Sequence, residues 1–210
     1  MFFSNANQAK EWGKPFLPNI PFYDVSSTLS CENEIKGRLL FIGDLGYNIN
    51  QHGITYFLQR IYPEVKRLHP EVTLHIVGRI WDENLKLSWE ENEGVTVTGF
   101  VPSIIEEYQN CQVVIIPIYQ GAGTCIKVLE AMQMNKPCVT TPIGFRGYNS
   151  FFKRDEDCFI AENDLEFIRL INILLENRTI REYTTKSANI QLQKYFTKDN
   201  FNKIVKDILL

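Results

Sequence analysis

The chain has 210 residues, with 22 Lys and Arg against 25 Asp and Glu, and 44% of its residues are hydrophobic. A length of this order corresponds to one domain with a full hydrophobic core, and the composition excludes disordered, collagen-like and disulfide-scaffold proteins. The formal net charge is −3 and no block of Lys or Arg occurs, which argues against nucleic acid as a partner.

Short strand-like runs begin near residue 38 and continue to residue 160. They cover residues 39–43, 72–78, 95–99, 113–117, 137–140 and 158–160. Helical patterns lie between several of these runs, and strands that alternate with helices are typical of βαβ units. The sequence therefore predicts a doubly wound, Rossmann-like α/β fold with a parallel sheet of about six strands.

Helices are predicted on both sides of these strands and at the end of the chain. Apolar residues recur at helical spacing from Ile54 to Leu68, and Pro63 inside this pattern should kink or split the helix. Further helices are predicted over residues 102–110, 124–134, 164–176, 180–195 and 199–209. Three helices at the end of the chain therefore follow the last strand.

Residues 1–36 differ in character from the rest, because residues 14–21 read KPFLPNIP and proline keeps such a segment extended. We expect a lead-in here and a folded domain over residues 37–210. Nothing at the start resembles a signal peptide, and the apolar runs are too short to span a bilayer. The sequence thus predicts a cytoplasmic protein without a transmembrane segment.

The five cysteines of the chain are scattered and never form a C-x-x-C pair. They are Cys31, Cys111, Cys125, Cys138 and Cys158. Most lie in apolar runs, where a thiol behaves as a small hydrophobic group. We expect reduced core cysteines, and no cluster of His, Cys and carboxylates has metal-ligand spacing.

The loop after the fourth predicted strand is the most informative for function. It contains Gly121 and Gly123, which would let a ligand approach the backbone, and Thr124, which can cap the following helix. The free N–H groups of a first helical turn attract an anion, so a phosphate fits there. The same residues also suit an ordinary tight turn, and neither a P-loop nor the dinucleotide fingerprint is present.

Lys127 and Glu130 follow on the same predicted helix, one turn apart. They could form a surface ion pair. Next to a phosphate site, however, Lys127 could neutralise the anion and Glu130 could accept hydrogen bonds from two sugar hydroxyls.

Several segments in the correct order resemble the carboxy-terminal half of the retaining glycosyltransferase family four, whose members have the two-domain GT-B fold. They are VTVTGFVP at residues 95–102, VVIIP at 113–117, GAGTCIKVLEAM at 121–132 and KPCVTT at 136–141. The similarity extends from about Arg38 to the end. Residues 16–21 are also similar to the linker that follows the amino-terminal domain in this family.

The resemblance implies that the chain binds a nucleotide diphosphate sugar as donor substrate, without a cofactor. Glu130 matches the glutamate that receives the ribose hydroxyls, Gly123 and Thr124 the helix start at the diphosphate, and Phe100 and Val101 the loop beside the base. A missing amino-terminal domain would bind a saccharide or lipid-linked acceptor and would make any contact with the inner membrane face.

Two further positions are inferred from the predicted topology. Gly43 ends the first strand and Arg79 directly follows the second, so both should lie near the crevice at the carboxyl ends of the strands. An exposed, solvated arginine is the more common role for such a residue. His52, at a predicted helix start, could contact the donor sugar or act as a polar cap, and His69 and His75 are expected on the surface or in the sheet.

The chain also departs from the family pattern. Ala122 stands where the family has its first glutamate, and Asp44 stands at the place of an arginine, with no lysine before the next helix. The residues near Asn50 are similar to a subgroup with asparagine there, in which Lys127 could substitute for the missing cations. Two hypotheses follow: a donor-binding half of a glycosyltransferase, inactive alone, or a non-catalytic nucleotide-sugar-binding or regulatory module. In the first case, an apolar docking patch is expected near Tyr47, Tyr119 and Phe145.

Overall fold

The computed structural model describes residues 10–11 and 33–209, without the side chains of residues 208 and 209. The extended segment predicted at residues 14–21 and most of the predicted lead-in lie outside these residues. The first strand begins at Arg38, close to the predicted start of the domain at residue 37.

Six parallel strands form one sheet in the order β3-β2-β1-β4-β5-β6. They are β1 (Arg38–Ile42), β2 (Thr73–Val77), β3 (Val95–Thr98), β4 (Val113–Ile116), β5 (Cys138–Thr140) and β6 (Phe159–Ile160). This is the strand order of a doubly wound Rossmann-like fold. The predicted fold class is therefore confirmed.

Helices cover both faces of the sheet. They are α1 (Asn48–Arg60), α2 (Tyr62–Leu68), α3 (Glu83–Glu90), α4 (Ile104–Asn110), α5 (Ile126–Gln133), α6 (Pro142–Phe145), α7 (Asp164–Glu176), α8 (Arg178–Tyr195) and α9 (Lys198–Leu209). The predicted bounds of α7 are correct. The sequence analysis did not predict α3 or α6, because both are short and α3 has few apolar positions.

The core has one apolar cluster on each face of the sheet, because alternate residues of a strand point to opposite sides. In β1, Leu40 faces the cluster that contains residues of α4, α5 and α8. Leu39 and Phe41 face the cluster that contains residues of α1, α2, α3 and α7. Strands buried on both faces explain the continuous apolar runs of the sequence.

Proline splits the helix that follows β1, as predicted. α1 ends at Arg60, and Ile61 separates it from α2, whose first turn contains Pro63. A proline ring is tolerated in the first turn of a helix but clashes inside one.

A glycine in α1 brings this helix close to the end of β4. A Cβ atom on Gly53 would lie 2.1 Å from the carbonyl oxygen of Pro117, so no larger residue fits. The start of α1 is thereby held beside the loop that follows β4.

Candidate functional site

The order of the strands reverses between β1 and β4, which lie side by side. From β1 the chain continues outward to β2 and β3 on one side, and from β4 it continues to β5 and β6 on the other. In an open parallel sheet, ligands bind in the crevice beyond the carboxyl ends of the strands at such a point. The loops that follow β1 and β4 line this crevice. They contain residues 43–47 and 117–125.

Gly43 and Lys127 meet at this point. A Cβ atom on Gly43 would lie 2.7 Å from both Cε and Nζ of Lys127. The ammonium group also lies 5.6 Å from the centre of the Phe41 ring. The first turn of α5 therefore places a positive charge over the end of β1.

Gly43 is held from the other side by the end of β2. Its N–H donates to the carbonyl oxygen of Val77 at 2.9 Å. Gly78 has a φ of +152°, and a Cβ atom on it would lie 1.7 Å from the carbonyl oxygen of Gly43. Glycine is required at position 78 because two backbone segments touch there, whereas a side chain at position 43 would displace Lys127.

Asp44 and Arg79 form an ion pair across the loops after β1 and β2. Nη2 of Arg79 lies 2.6 Å from Oδ2 of Asp44, and the N–H of Gly46 donates to Oδ1 at 2.9 Å. The Gly46 N–H and then the Arg79 guanidinium hold the pKa of Asp44 below its ordinary value. Arg79 thus contacts the loop after β1, although 61% of its side chain remains exposed.

Asn50 supports this loop from α1. Its side-chain amide is buried and donates to the carbonyl oxygen of Asp44 at 2.7 Å. Its Nδ2 would also lie 3.1 Å from a Cβ atom on Gly43. Asn50 therefore fixes the backbone at the place where the sequence departs from the family pattern.

The loop after β4 is open on its outer side. Gly121 and Gly123 are exposed, and a Cβ atom on Gly123 would meet no other atom within 4 Å. Gly121 has a φ of +129°, and its carbonyl oxygen accepts a hydrogen bond from Arg146. A ligand could approach the backbone here without displacing a side chain.

The prediction that Thr124 caps the following helix is wrong. The N-cap of α5 is Cys125, which makes no side-chain hydrogen bond to the first turn, and the helix begins at Ile126. Thr124 lies one residue before the cap and is half-buried. The start of α5 is fixed instead by Tyr148, whose hydroxyl donates to the carbonyl oxygen of Cys125 at 2.9 Å.

Glu130 lies one turn beyond Lys127 on α5 and is half-buried. Its charge contributes to the raised pKa of Tyr148, of which burial is the larger cause. The two predicted site residues therefore share a helix, and Lys127 turns toward Gly43.

Exposed aromatic side chains surround the ends of the first three strands. Phe100 after β3 is 91% exposed, Trp81 after β2 is 74% exposed and Tyr47 after β1 is 66% exposed, whereas Val101 is buried. The Arg79 guanidinium lies 5.3 Å from the Trp81 ring. The sequence analysis missed Trp81, although a large aromatic residue close after a strand that ends in glycine could have indicated it.

The predicted docking patch is only partly present. Tyr47 is exposed, but Phe145 is 2% exposed and packs in the core. Tyr119 is half-buried against Tyr56, with ring centres 4.6 Å apart. Phe145 was misplaced because α6, which carries it, was not predicted.

His52 does not cap a helix. It lies inside α1, whose N-cap is Tyr47, and its ring centre lies 6.5 Å from those of Tyr56 and Tyr119. His75 lies in β2 and is buried. The sheet was one of the two places expected for it, the other being the surface.

Within residues 10–11 and 33–209, no group of three or more His, Cys, Asp or Glu side chains could hold a metal ion. None of the helices described there is long and apolar enough to cross a bilayer.

The fold is similar to those of several solved structures. One is Anabaena Alr3699/HepE in complex with UDP and glucose, with a TM-score of 0.74, 16% identity, and coverage of 99% of this chain and 62% of that one. Another is the C-terminal domain of the glycosyl transferase group 1 family protein LpcC from Francisella tularensis. Its TM-score is 0.62 at 14% identity, and the match covers 84% of this chain and 96% of that one.

A relative in sequence is an uncharacterized 44.6 kDa protein in the cps region of Klebsiella pneumoniae. It is 27% identical over 179 residues, which cover 81% of this chain and 45% of the relative. The chain therefore spans less than half the length of this relative.

The sequence model of the family Glycosyl transferases group 1 matches residues 36–177, which is well over half of the chain. The matched region includes all six strands and the whole crevice described above. The chain therefore belongs to the Glycosyl transferases group 1 family.

Proposed function

We propose that the chain is the donor-binding half of a glycosyltransferase. It would bind a nucleotide diphosphate sugar and serve transfer of the sugar to a saccharide or lipid-linked acceptor with retention of configuration. The observation that carries this proposal is the position of the Lys127 ammonium against Gly43, at the point where the strand order reverses. A cation beside an open glycine loop and a helix start suits a diphosphate.

Two cations and one carboxylate would determine the charge of the diphosphate site. Lys127 and Arg79 are positive, and Asp44 is negative and already pairs with Arg79. Lys127 would therefore provide most of the neutralisation. It would substitute for the cations that the family carries in the loop after the first strand.

The other parts of the donor would contact the neighbouring loops. Glu130 would accept hydrogen bonds from the ribose hydroxyls, one turn beyond Lys127. Phe100 and Val101 would lie beside the base, and Gly121, Gly123 and Thr124 would allow the phosphates to approach the backbone. HepE, a structural neighbour, has been crystallised with UDP and glucose, which agrees with a donor of this class.

Catalysis in this proposal rests on electrostatic stabilisation and positioning. Charge develops on the diphosphate as the bond to the sugar breaks, and a fixed cation stabilises it more in the transition state than before. Lys127 is the residue that would supply this stabilisation. Because Ala122 stands at the place of the family's first glutamate, no carboxylate at that position would contact the sugar.

The acceptor would be held by a further domain. We propose that residues 1–36 connect that domain to the nucleotide-sugar domain at residues 37–210. The length of the Klebsiella relative supports this arrangement, since the chain covers 45% of it. Without the second domain the attacking hydroxyl is not oriented. Positioning can lower the activation free energy by roughly 7–11 kcal/mol, and this contribution would be lost. Residues 1–210 alone should therefore show no transfer.

The proposal is tested by calorimetry with UDP, GDP, ADP and uridine. We expect one nucleoside diphosphate to bind, uridine to bind much more weakly, and Lys127→Met to reduce the affinity by about tenfold or more. Lys36→Met is the matched control, because Lys36 is exposed on a turn before β1. Equal affinities for uridine and UDP would contradict the proposal.

A non-catalytic nucleotide-sugar-binding or regulatory module is the alternative. Two observations favour it: Ala122 supplies no carboxylate, and Asp44 offsets the charge of Arg79. Turnover by the longer protein that contains the second domain distinguishes the two functions. Binding of the donor without transfer to any acceptor would support the module.

A further inference from the structure

His75 connects the two flanks of one loop. Residues 99–103 join β3 to α4, and they include Phe100 and Val101. Thr98 is the last residue before this loop, and Glu107 lies in the first turns after it. The imidazole of His75, from the neighbouring strand β2, contacts both Thr98 and Glu107.

The contacts are short and involve both ring nitrogens. Nε2 of His75 lies 2.6 Å from the hydroxyl oxygen of Thr98, and Nδ1 lies 2.7 Å from Oε2 of Glu107. His75 is 9% exposed. Arg38 from β1 contacts the same imidazole nitrogen and lies 3.4 Å from Oε2 of Glu107. One polar network thus joins three strands to α4.

The direction of the hydrogen bonds follows from the chemistry of the partners. Burial, the largest effect, and the charge of Arg38 lower the pKa of His75, whereas Glu107 opposes them. The ring is therefore neutral near pH 7. A carboxylate only accepts and a guanidinium only donates, so a bond from Nδ1 to Glu107 requires the tautomer with the proton on Nδ1. In that tautomer Nε2 accepts from the Thr98 hydroxyl, and Arg38 pairs with Glu107 and not with the ring.

The fold itself does not require a histidine at this position. Backbone hydrogen bonds already pair β2 with β3 in register from Leu74 to Val77, and the other buried residues of β2 are apolar. An apolar side chain of similar size at position 75 would leave Glu107 paired with Arg38, while the half-buried Thr98 hydroxyl would lose its bond to the ring. The polar network therefore adds specific bonds from β2 to β3 and α4 that packing alone would not supply.

We infer that His75 is a positioning residue, which holds loop 99–103 in place for recognition of the base by bonding to Thr98 and Glu107. This inference rests on the proposed function, in which Phe100 and Val101 lie beside the base. Two hydrogen bonds on opposite flanks restrain both ends of the loop, whereas the exposed Phe100 has little packing to restrain it.

Hydrogen–deuterium exchange of the ligand-free chain tests the restraint itself. His75→Phe removes both bonds, leaves Glu107 paired with Arg38 and should still fold; Thr98→Val removes one bond. The reporters are two hydrogen-bonded amides at the flanks of the loop: the N–H of Gly78 donates to the carbonyl oxygen of Thr98, and the N–H of Glu106 donates to the hydroxyl of Ser103. We expect exchange at these two amides to become about tenfold faster in His75→Phe and less so in Thr98→Val. His69→Gln, at the end of α2, is the control. Unchanged exchange in both variants would overturn the inference.

Calorimetry with UDP and pyrophosphate tests the role in base recognition. His75→Phe should weaken UDP binding by about five- to tenfold and leave pyrophosphate binding unchanged, because pyrophosphate has no base. An equal loss for both probes would indicate a general structural effect and overturn the inference. If the unaltered chain binds UDP no better than pyrophosphate, the proposed base contact fails, while the exchange experiment still decides whether His75 restrains the loop.

Discussion

Charged residues have opposite roles at the amino ends of the strands, the amino edge of the sheet, and at their carboxyl ends, the carboxyl edge. At the amino edge, Lys136, Glu34 and Arg181 are buried together, with Glu34 3.0 Å from Lys136 and 3.3 Å from Arg181. Lys136 also donates to the carbonyl oxygens of Gln109 and Cys111, at 3.2 and 2.9 Å. At the carboxyl edge, Lys127 lies over a glycine and Arg79 is largely exposed.

The difference shows which charges stabilise the fold and which are available for a ligand. A buried charge must be paired and hydrogen-bonded, so Lys136 is committed to the protein. A charge that lies against open backbone at the end of a strand can still bind an anion. We therefore expect substitutions at the amino edge to change stability and substitutions at the carboxyl edge to change binding.

The largest effect is expected for Lys136→Met. The substitution leaves Glu34 with one partner and two carbonyl oxygens without their donor. Breaking a buried ion pair in this way costs about 3–5 kcal/mol in the free energy of unfolding. Urea denaturation measures this change, and Lys127→Met, its counterpart at the other edge, should change stability by less than about 1 kcal/mol. Similar losses in the two variants would remove the distinction between the edges.

Glu130→Gln should impair binding without affecting the fold. Charge-assisted hydrogen bonds contribute about 1.5–3 kcal/mol each, so we expect roughly a tenfold or greater loss of affinity for a ribonucleoside diphosphate. Calorimetry with a 2′,3′-dideoxynucleotide is the control, since the variant should bind the ribo and dideoxy forms with equal affinity. If the unaltered chain binds ribo and dideoxy forms equally, Glu130 has a structural role.

Gly78→Ala should reduce both the stability of the fold and the affinity for a nucleotide. Its φ of +152° is unfavourable for alanine, and the added Cβ atom would collide with the carbonyl oxygen of Gly43. We expect a loss of about 1–3 kcal/mol in the free energy of unfolding together with weaker nucleotide binding. Gly123→Val tests the open loop separately. Thermal denaturation should be nearly unchanged, because a Cβ atom at this position meets no other atom within 4 Å, while UDP binding falls.

Asp44→Asn should have the smallest effect. Removing this negative charge should raise UDP affinity by about two- to fivefold at low salt and by less at high salt. The pKa of Asp44 is lowered in the folded protein. The carboxyl group is therefore charged at every pH above its ordinary pKa of about 3.9, and it loses its charge only as pH falls through the lowered pKa. The ratio of the two affinities, measured by calorimetry, should therefore stay constant from about pH 7 to 8, where Asp44 is charged and the terminal phosphate of UDP is mostly ionised. Weaker binding by Asp44→Asn would instead indicate that the ion pair holds Arg79 in its binding position.

The fold could be predicted where each pattern is local and strong. The six apolar runs became strands because both faces of the sheet are covered, and Pro63 ended a helix because of its ring. α3 could not be predicted in the same way. It has eight residues and buries Trp89 alone, and such a segment becomes helical only when it packs against the sheet.

For the candidate site, the sequence by itself determined the residue types and the order of the loops, because the glycines after β1, β2 and before α5 follow directly from the strand pattern. Only the tertiary structure decided which side chains meet. Lys127 reaches Gly43, Arg79 reaches Asp44, and His75 joins Thr98 to Glu107. Each pair comes from separate strands and helices, and its distance depends on strand order and helix packing, which no local pattern in the chain encodes.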